Sequence, residues 1–186
     1  MISIEFNRLR MKLIEDVSYF GIRCHEDQAR NVMRRSYVRS VFAFIEGYTY
    51  GFRQISLRIA KEPLGIKLTE EEVVALKQVD VTIDENGTIN ERPKYSSAKN
   101  ILIFSVSAIA KQHEADFQID KNGKGWKDYK DALRIRNRLM HPKSYQDLEI
   151  SDSEIESTEG AYRWFTNELG RLEQAIAEAS RAIAHA

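Results

Sequence analysis

Apolar residues recur every three or four positions through most of the chain, which is the spacing of one face of an α-helix. The first such stretch covers residues 1–19 and predicts a helix that ends before Gly21. The longest stretch runs from His25 to Lys61, with no proline before Pro63. Its apolar stripe consists of Ala29, Met33, Tyr37, Val41, Phe44, Tyr48, Phe52, Ile55 and Ile59.

Short polar sequences that can cap a helix precede several of the remaining apolar stretches. Thr69-Glu70-Glu71-Glu72 and Ser151-Asp152-Ser153-Glu154 both have the spacing of a capping box. The predicted helices cover 70 to about 77, 96 or 97 to about 115, 126–140, and a long stretch after 151 whose apolar face holds Tyr162, Phe165, Leu169, Leu172, Ile176, Ala179 and Ile183.

The segment from Val79 to Glu91 has a different pattern, because Val81 and Ile83 alternate with polar residues and Asn86-Gly87 follows. Asn-Gly between two alternating segments predicts a β-hairpin, here a small insertion that serves as decoration or as a contact arm. The predicted fold class is therefore mostly α: an antiparallel helical bundle with a small inserted β-hairpin, forming one domain over residues 1–186.

The overall charge is balanced, since the 186 residues contain 28 Lys and Arg and 28 Asp and Glu. Net charge therefore argues neither for nor against a nucleic-acid partner, and any basic site must be local. The charged stretch 1–20 has the pattern of neither a signal peptide nor a membrane span, so we expect neither there, and the run 101–104 is too short to cross a bilayer. We expect no membrane association.

The single cysteine, Cys24, cannot form an internal disulfide, and a reducing cytoplasm is the expected location. Cys24-His25 is a lone pair of potential metal ligands, because no set of cysteines and histidines in the chain has zinc spacing and a site needs three or four ligands. The sequence therefore predicts no metal site.

The helical pattern is broken at Arg136, which falls near the middle of the apolar arc of the 126–140 helix. A buried guanidinium must be paired or must face a partner, because an unpaired buried charge costs several kcal/mol. Proline disfavours helical geometry in the residue before it, so His141-Pro142 predicts that the helix ends at about Met140 and that His141 is accessible.

Five residues place Arg136 and His141 roughly 140° apart on an unbroken helix. They converge only if the helix opens at its end or if a second protomer supplies the partner group. Two plainer interpretations are equally compatible with the local pattern. Arg136 could pair with a buried carboxylate or cap carbonyl groups, and His141 could be a C-terminal capping residue that the helix dipole favours.

Arg136-Asn137-x-x-x-His141, followed by Pro142-Lys143, resembles the signature of the HEPN superfamily. The helical context agrees with this resemblance, and Phe42-Ala43-Phe44-Ile45-Glu46 is similar to the aromatic-rich helix that precedes the motif in that family. By helix order the resemblance covers most of the chain, but by specific motif it covers six residues. The hairpin around Asn86-Gly87 lies outside the common core, so the subfamily stays open.

The resemblance implies a metal-independent RNA endonuclease that needs no cofactor and leaves 2′,3′-cyclic phosphate and 5′-hydroxyl ends. His141 would act as general acid or base, Arg136 would bind the phosphate and stabilise charge on its oxygens, and Asn137 would orient the histidine or the phosphate. Arg134, Arg138 and Lys143, together with Lys130, would supply a local positive rim, and Tyr145 could stack on a base.

Glu46 is a candidate accessory residue, although a surface ion pair near Arg39, Tyr50 or Arg53 is the favoured interpretation. The implied partners are RNA, a second copy of the chain in a homodimer, and an antitoxin protein, in a toxin–antitoxin or phage-defence setting. The alternatives are a non-catalytic module for dimerisation or for nucleotide or RNA binding, and a purely structural helical adaptor.

Overall fold

The computed structural model describes residues 4–26, 30–62, 66 and 68–184. Within these residues it contains six α-helices, one two-stranded antiparallel sheet and one short 3₁₀ helix. It is 73 % helical, so the prediction of a mostly α fold with a small hairpin is confirmed. The elements are α1 Ile4–Arg23, α2 Arg30–Ile59, α3 Glu70–Lys77, β1 Val79–Ile83, β2 Ile89–Pro93, α4 Ala98–Gln112, α5 Lys124–Met140, the 3₁₀ helix Tyr145–Leu148, and α6 Asp152–Ala184.

The chain divides into two compact units, one of residues 1–48 and 120–171 and one of residues 49–119 and 172–186. Both long helices, α2 and α6, contribute residues to each unit. In the part of the chain that the structure describes, no helix combines the length and the apolar character needed to cross a membrane.

The first unit has an aromatic core that α2, α5 and α6 share. The rings of Phe44 and Phe165 meet edge to face with centroids 5.9 Å apart, and those of Trp126 and Trp164 lie 5.2 Å apart. Aromatic pairs of this kind add to the free energy of area burial. The buried aromatic side chains of this unit include Tyr37, Phe42, Phe44, Tyr48, Trp126, Tyr129, Trp164 and Phe165.

Helices α5 and α6 approach each other closely because each carries a glycine at the contact. A Cβ atom on Gly125 would lie 2.6 Å from Cβ of Trp164. A Cβ atom on Gly160 would lie 2.1 Å from Oδ2 of Asp128. These two glycines fix how tightly α6 packs on the helix that carries Arg136.

The second unit contains a smaller core in which Leu76 of α3 packs with Leu68 and Ala108. The predicted hairpin is present. Its two strands pair antiparallel, from Val79 opposite Pro93 at one end to Ile83 opposite Ile89 at the other. Its loop is five residues long, and Gly87 takes the positive φ of +77° that the turn requires.

Local capping signals place several helix ends well. Thr69 and Ser151 both cap their helices with the predicted reciprocal bonds to Glu72 and Glu154. Ser97 caps α4, which ends at Gln112 and is thus three residues shorter than predicted.

Two predicted boundaries are wrong. Helix α1 continues past Gly21 to Arg23, and Gly21 instead lets the ring of Tyr37 approach, because a Cβ there would lie 3.2 Å from it. His25 lies in a turn and not in the long helix, whose described part begins at Arg30. The predicted start of that helix at residues 27–29, including Ala29, and the predicted helix at residues 1–3 lie outside the described residues.

Candidate catalytic site

The predicted end of α5 is observed at Met140. His141 leaves the helix with φ −135° and ψ 57°, and its backbone N–H donates to the carbonyl oxygen of Asn137 at 3.2 Å. Pro142 explains the change of geometry, since its ring excludes helical conformation at the residue before it. His141 is therefore held at the helix terminus, and it is exposed.

Arg136 lies on the same side of α5 as the buried residues Tyr129, Ala132 and Leu139, and its side chain is 26 % exposed. Its Nη2 atom is 2.6 Å from Oε1 of Glu46 on α2. The partner that the half-buried guanidinium requires is thus a carboxylate of the same chain. The surface ion pair favoured for Glu46 on its own helix is not what the structure shows; Glu46 reaches across to α5.

Tyr129 lies two turns before Arg136 and is almost fully buried. Burial raises the pKa of its phenol above the ordinary value, and the Glu46 carboxylate raises the pKa further while Arg136 opposes this. The phenol therefore stays protonated and neutral beside the ion pair at physiological pH.

Asn137 connects the other two residues of the motif. Its Oδ1 atom accepts a hydrogen bond from Nη1 of Arg136 at 3.2 Å, and its backbone carbonyl accepts the N–H of His141. Across the described ranges, no residue hydrogen-bonds to the imidazole of His141 or forms an ion pair with it. The ring can therefore exchange a proton with an external molecule.

The loop after α5 is fixed by three arginines that bind four consecutive backbone carbonyl groups. Arg138 donates to the carbonyls of Asp147 at 3.1 Å and Glu149 at 3.0 Å. From α2, Arg35 donates to the carbonyl of residue 148 at 3.0 Å, and Arg34 to that of residue 150 at 2.6 Å. Charge-assisted bonds of this kind are stronger than neutral ones, so the loop beside His141 is firmly held.

Asp147 closes the same loop from within. Its Oδ2 atom accepts the backbone N–H groups of Lys143 at 2.7 Å and Ser144 at 3.0 Å. These bonds, chiefly that from Lys143, hold the pKa of the Asp147 carboxyl below its ordinary value. The ionised carboxylate thus orients the backbone next to Lys143 and Tyr145, whose side chains are exposed.

The predicted positive rim divides into engaged and exposed cations. Arg138 forms an ion pair with Glu154 at 2.8 Å in addition to its bonds to the loop, so it acts within the protein. Arg134 is exposed but pairs with Asp131 on its own helix. Lys143 is exposed in the loop after α5, and Lys130 is exposed in the middle of α5, ten residues before the helix ends.

Sequence reasoning missed Arg34, which is 4 % exposed and also bonds to the carbonyl of Cys24 and to Asp152. A signal was present, because Arg34 precedes the buried residues Val38 and Val41 by four and seven positions on α2. An arginine on an apolar face is the same irregularity that marks Arg136. Arg35 and Asp147 carry no comparable signal.

No protein-family model, curated protein or solved structure matches this chain. The chemical capacity of the site therefore depends on its own residues. These provide a guanidinium held by a carboxylate and an amide, an accessible imidazole at a helix end, and a rigid loop with an exposed lysine and tyrosine.

Proposed function

We propose that this protein is a metal-independent endoribonuclease of the HEPN type, which cleaves RNA to 2′,3′-cyclic phosphate and 5′-hydroxyl ends. The observation that carries the proposal is the arrangement at the end of α5. Arg136 is held on the inward side of the helix by Glu46 and Asn137, and His141 is exposed at the terminus with its imidazole unengaged among the described residues.

The chemistry follows from the residue types. The 2′-oxygen of the RNA attacks the adjacent phosphorus as its proton leaves to a base, and the bond from phosphorus to the 5′-oxygen breaks as that oxygen takes up a proton. His141 has a side chain that can accept or donate a proton near neutral pH. Arg136 keeps N–H donors besides the two bound to Glu46 and Asn137, and these can stabilise charge on the phosphate oxygens.

One cleavage event needs both a base and an acid. A single His141 supplies one of them, so the proposal includes a homodimer in which two protomers present their Arg136 and His141 residues to one RNA. A second protomer would supply the partner group that Arg136 and His141 of one chain need, because the two residues are roughly 140° apart on an unbroken helix. Such an enzyme endangers the RNA of its own cell, so the proposal extends to a cytoplasmic toxin controlled by an antitoxin, or to phage defence.

A second candidate function is a non-catalytic module that binds RNA or nucleotides. The observation that favours it is the engagement of Arg134 with Asp131 and of Arg138 with Glu154, which reduces the cationic surface available for a phosphate backbone. This module would bind RNA through Arg136 and Lys143 without breaking it.

The test is incubation of purified protein with single-stranded RNA in excess EDTA, beside His141→Ala and Arg136→Ala variants. We expect wild-type cleavage, with a loss of about 100-fold or more in each variant, because general acid–base catalysis contributes about 10²- to 10⁴-fold and a lost charge-stabilising donor about as much. His113→Ala and Arg181→Ala are matched controls outside the site, and both should cleave like wild type.

The outcomes separate the two functions. RNA binding by wild type that is lost in Arg136→Ala, with no cleavage by any protein, would support the binding module. Cleavage that survives in both folded site variants would overturn the assignment of the site.

A further inference from the structure

A second cluster of reactive side chains lies in the first unit, where the end of α1 meets α6. Cys24 and His25 form the turn after α1, and Glu159 lies on α6. Their ligand atoms, Sγ of Cys24, a ring nitrogen of His25 and a carboxylate oxygen of Glu159, all lie within 4.8 Å of one another. The fold thus supplies the third ligand that the sequence around Cys24 lacks.

The turn that carries the first two residues is well fixed. The N–H of Cys24 donates to the carbonyl of Phe20 at 2.9 Å, and the buried Arg34 donates through Nε to the carbonyl of Cys24 at 3.3 Å. The thiol is fully buried and contacts the carbonyl of Gly21 at 3.2 Å. Side chains on a rigid turn can bind a ligand with little loss of conformational entropy.

The imidazole and the carboxylate are already at the spacing of two ligands. Nε2 of His25 is 3.0 Å from Oε1 of Glu159, and their side chains are 58 % and 29 % exposed. A tetrahedral zinc ion, with bonds of about 2.0 to 2.3 Å, holds its ligand atoms roughly 3 to 4 Å apart. Side-chain movements of about 1 Å would therefore bring the ligand atoms of Cys24, His25 and Glu159 to that spacing.

The charges around the cluster also fit a cation. Sγ of Cys24 lies within 4.8 Å of a carboxylate oxygen of Glu159, which supplies negative charge beside the thiol. Glu159 also pairs with Arg163, but Nη1 of Arg163 is 3.7 Å away and its side chain is well exposed, so Arg163 is a weak competitor for a bound cation. Glu159 also lines an open cleft of about 460 Å³ bordered by Gly21, Tyr37 and Tyr162, from which a water molecule can reach a fourth position.

We propose that Cys24, His25 and Glu159 form a binding site for one divalent transition-metal ion of the zinc type. Sulfur, imidazole nitrogen and carboxylate oxygen are the donors that zinc takes in proteins, with a solvent molecule completing the tetrahedron. On binding, the Sγ–H bond breaks, the proton goes to solvent, and the sulfur bonds to the metal. The site joins α1 to α6 and is independent of the proposed ribonuclease activity.

The experiment is a titration of the metal-free full-length protein with Co²⁺ under reducing conditions. A thiolate bound to Co²⁺ gives a near-ultraviolet charge-transfer band, and Cys24 is the one cysteine of the chain, so the band identifies its ligand. We expect saturation at one Co²⁺ per chain, displacement by Zn²⁺, and loss of the band in Cys24→Ser.

The other two ligands are tested by affinity. His25→Ala and Glu159→Gln should each weaken binding about 10-fold or more, since even the loss of an outer-sphere partner costs about 10- to 100-fold. His113→Ala, a histidine in the other unit, should titrate like wild type. These variants keep the test valid should Cys24→Ser fail to fold, because the side chains of His25 and Glu159 are partly exposed.

Absence of the band in wild type would overturn the proposal. An affinity for Co²⁺ that is unchanged in both His25→Ala and Glu159→Gln would overturn it as well, because neither side chain would then be a ligand and the thiol would bind the metal alone. Neither result bears on RNA cleavage, which is assayed in EDTA, so the two proposals fail separately.

Discussion

Arg136 is the residue on which the proposed chemistry depends, and its ion-pair partner is the carboxylate of Glu46. The side chains of Arg136 and Glu46 are 26 % and 42 % exposed. A partly solvated pair of this kind contributes about 0.2 to 1 kcal/mol to stability. Its main consequence is therefore geometric, since it orients the guanidinium on the side of α5 that also presents Asn137.

We predict that Glu46→Ala slows RNA cleavage about 10- to 100-fold, because a misplacement of about 1 Å is enough for such a loss. Glu46→Gln should recover part of the rate, since the amide oxygen still accepts a hydrogen bond from Arg136. The measurement is kcat and KM for each variant, with urea unfolding to show that stability changes by less than about 1 kcal/mol.

Glu156→Gln, an exposed glutamate on α6, is the control and should behave like wild type. A wild-type rate in Glu46→Ala would show that Glu46 does not position Arg136.

At this scale the sequence identifies residues that break a pattern, but it does not identify their partners. Arg136 and the helix end at His141 follow from spacing and from Pro142. The pairing of Arg136 with Glu46 joins residues far apart in the chain, and no local rule specifies it. For the same reason the sequence does not predict the contact between His25 and Glu159, because the two residues are 134 positions apart.

At the scale of elements, the loop 141–151 is as much a part of the site as α5. Arg34, Arg35 and Arg138 hold its backbone by donating hydrogen bonds to its carbonyl groups. Arg34 is the most buried of these three arginines, and it also forms an ion pair with Asp152 at the start of α6.

We predict that Arg34→Met lowers the free energy of unfolding by about 2 to 3 kcal/mol, because it leaves two buried carbonyl groups without their charge-assisted bonds. Arg30→Met is the matched control. Arg30 pairs with the same Asp152 but is 42 % exposed, so its loss should cost less than about 1 kcal/mol. Urea unfolding measures both, and equal losses would contradict the role assigned to Arg34.

The packing of α6 against α5 is the second element that supports the site. Asp128 is buried on α5 and pairs with Lys124 at 2.7 Å. The Asp128 side chain fills the space next to Gly160 and leaves no room for a side chain there. Helix propensity would favour alanine over glycine at this position, so the glycine reflects tertiary contact.

We predict that Gly160→Ala destabilises the protein by about 1 to 3 kcal/mol, because the added methyl group must displace the buried Asp128 carboxylate. Gly170→Ala on the same helix is the control. Apart from the neighbouring backbone of α6 itself, no atom of the described residues lies within 4 Å of its added Cβ, so Gly170→Ala should stabilise the protein by about 0.5 to 1 kcal/mol. Thermal or urea unfolding compares the two, and a stabilising Gly160→Ala would show that the helices do not meet at that residue.

Helix boundaries were predictable where a local signal decides them, as with the capping boxes at Thr69 and Ser151. The predicted helix end at Gly21 was wrong, because a sequence alone does not distinguish a glycine that ends a helix from one that allows a close contact. The ring of Tyr37, which settles the matter, comes from another helix.

At the scale of the whole molecule, the balance of 28 basic and 28 acidic residues limits how RNA can be bound. Net charge gives no general attraction for RNA, so the proposed activity requires a narrow contact centred on Arg136, Lys143 and their neighbours. The fold class was predictable because periodicity along the chain sets it. The division into two compact units was not, because it depends on which distant residues pack together.

The central claim is that RNA itself supplies the nucleophile and that Arg136 and His141 act on it without a metal. The most direct measurement is the chemical identity of the ends that the wild-type protein produces in EDTA from an RNA and from the same sequence fully 2′-O-methylated. We predict 2′,3′-cyclic phosphate and 5′-hydroxyl ends from the RNA and no cleavage of the methylated strand. Cleavage of the methylated strand, or products that carry 5′-phosphate and 3′-hydroxyl ends, would contradict the mechanism.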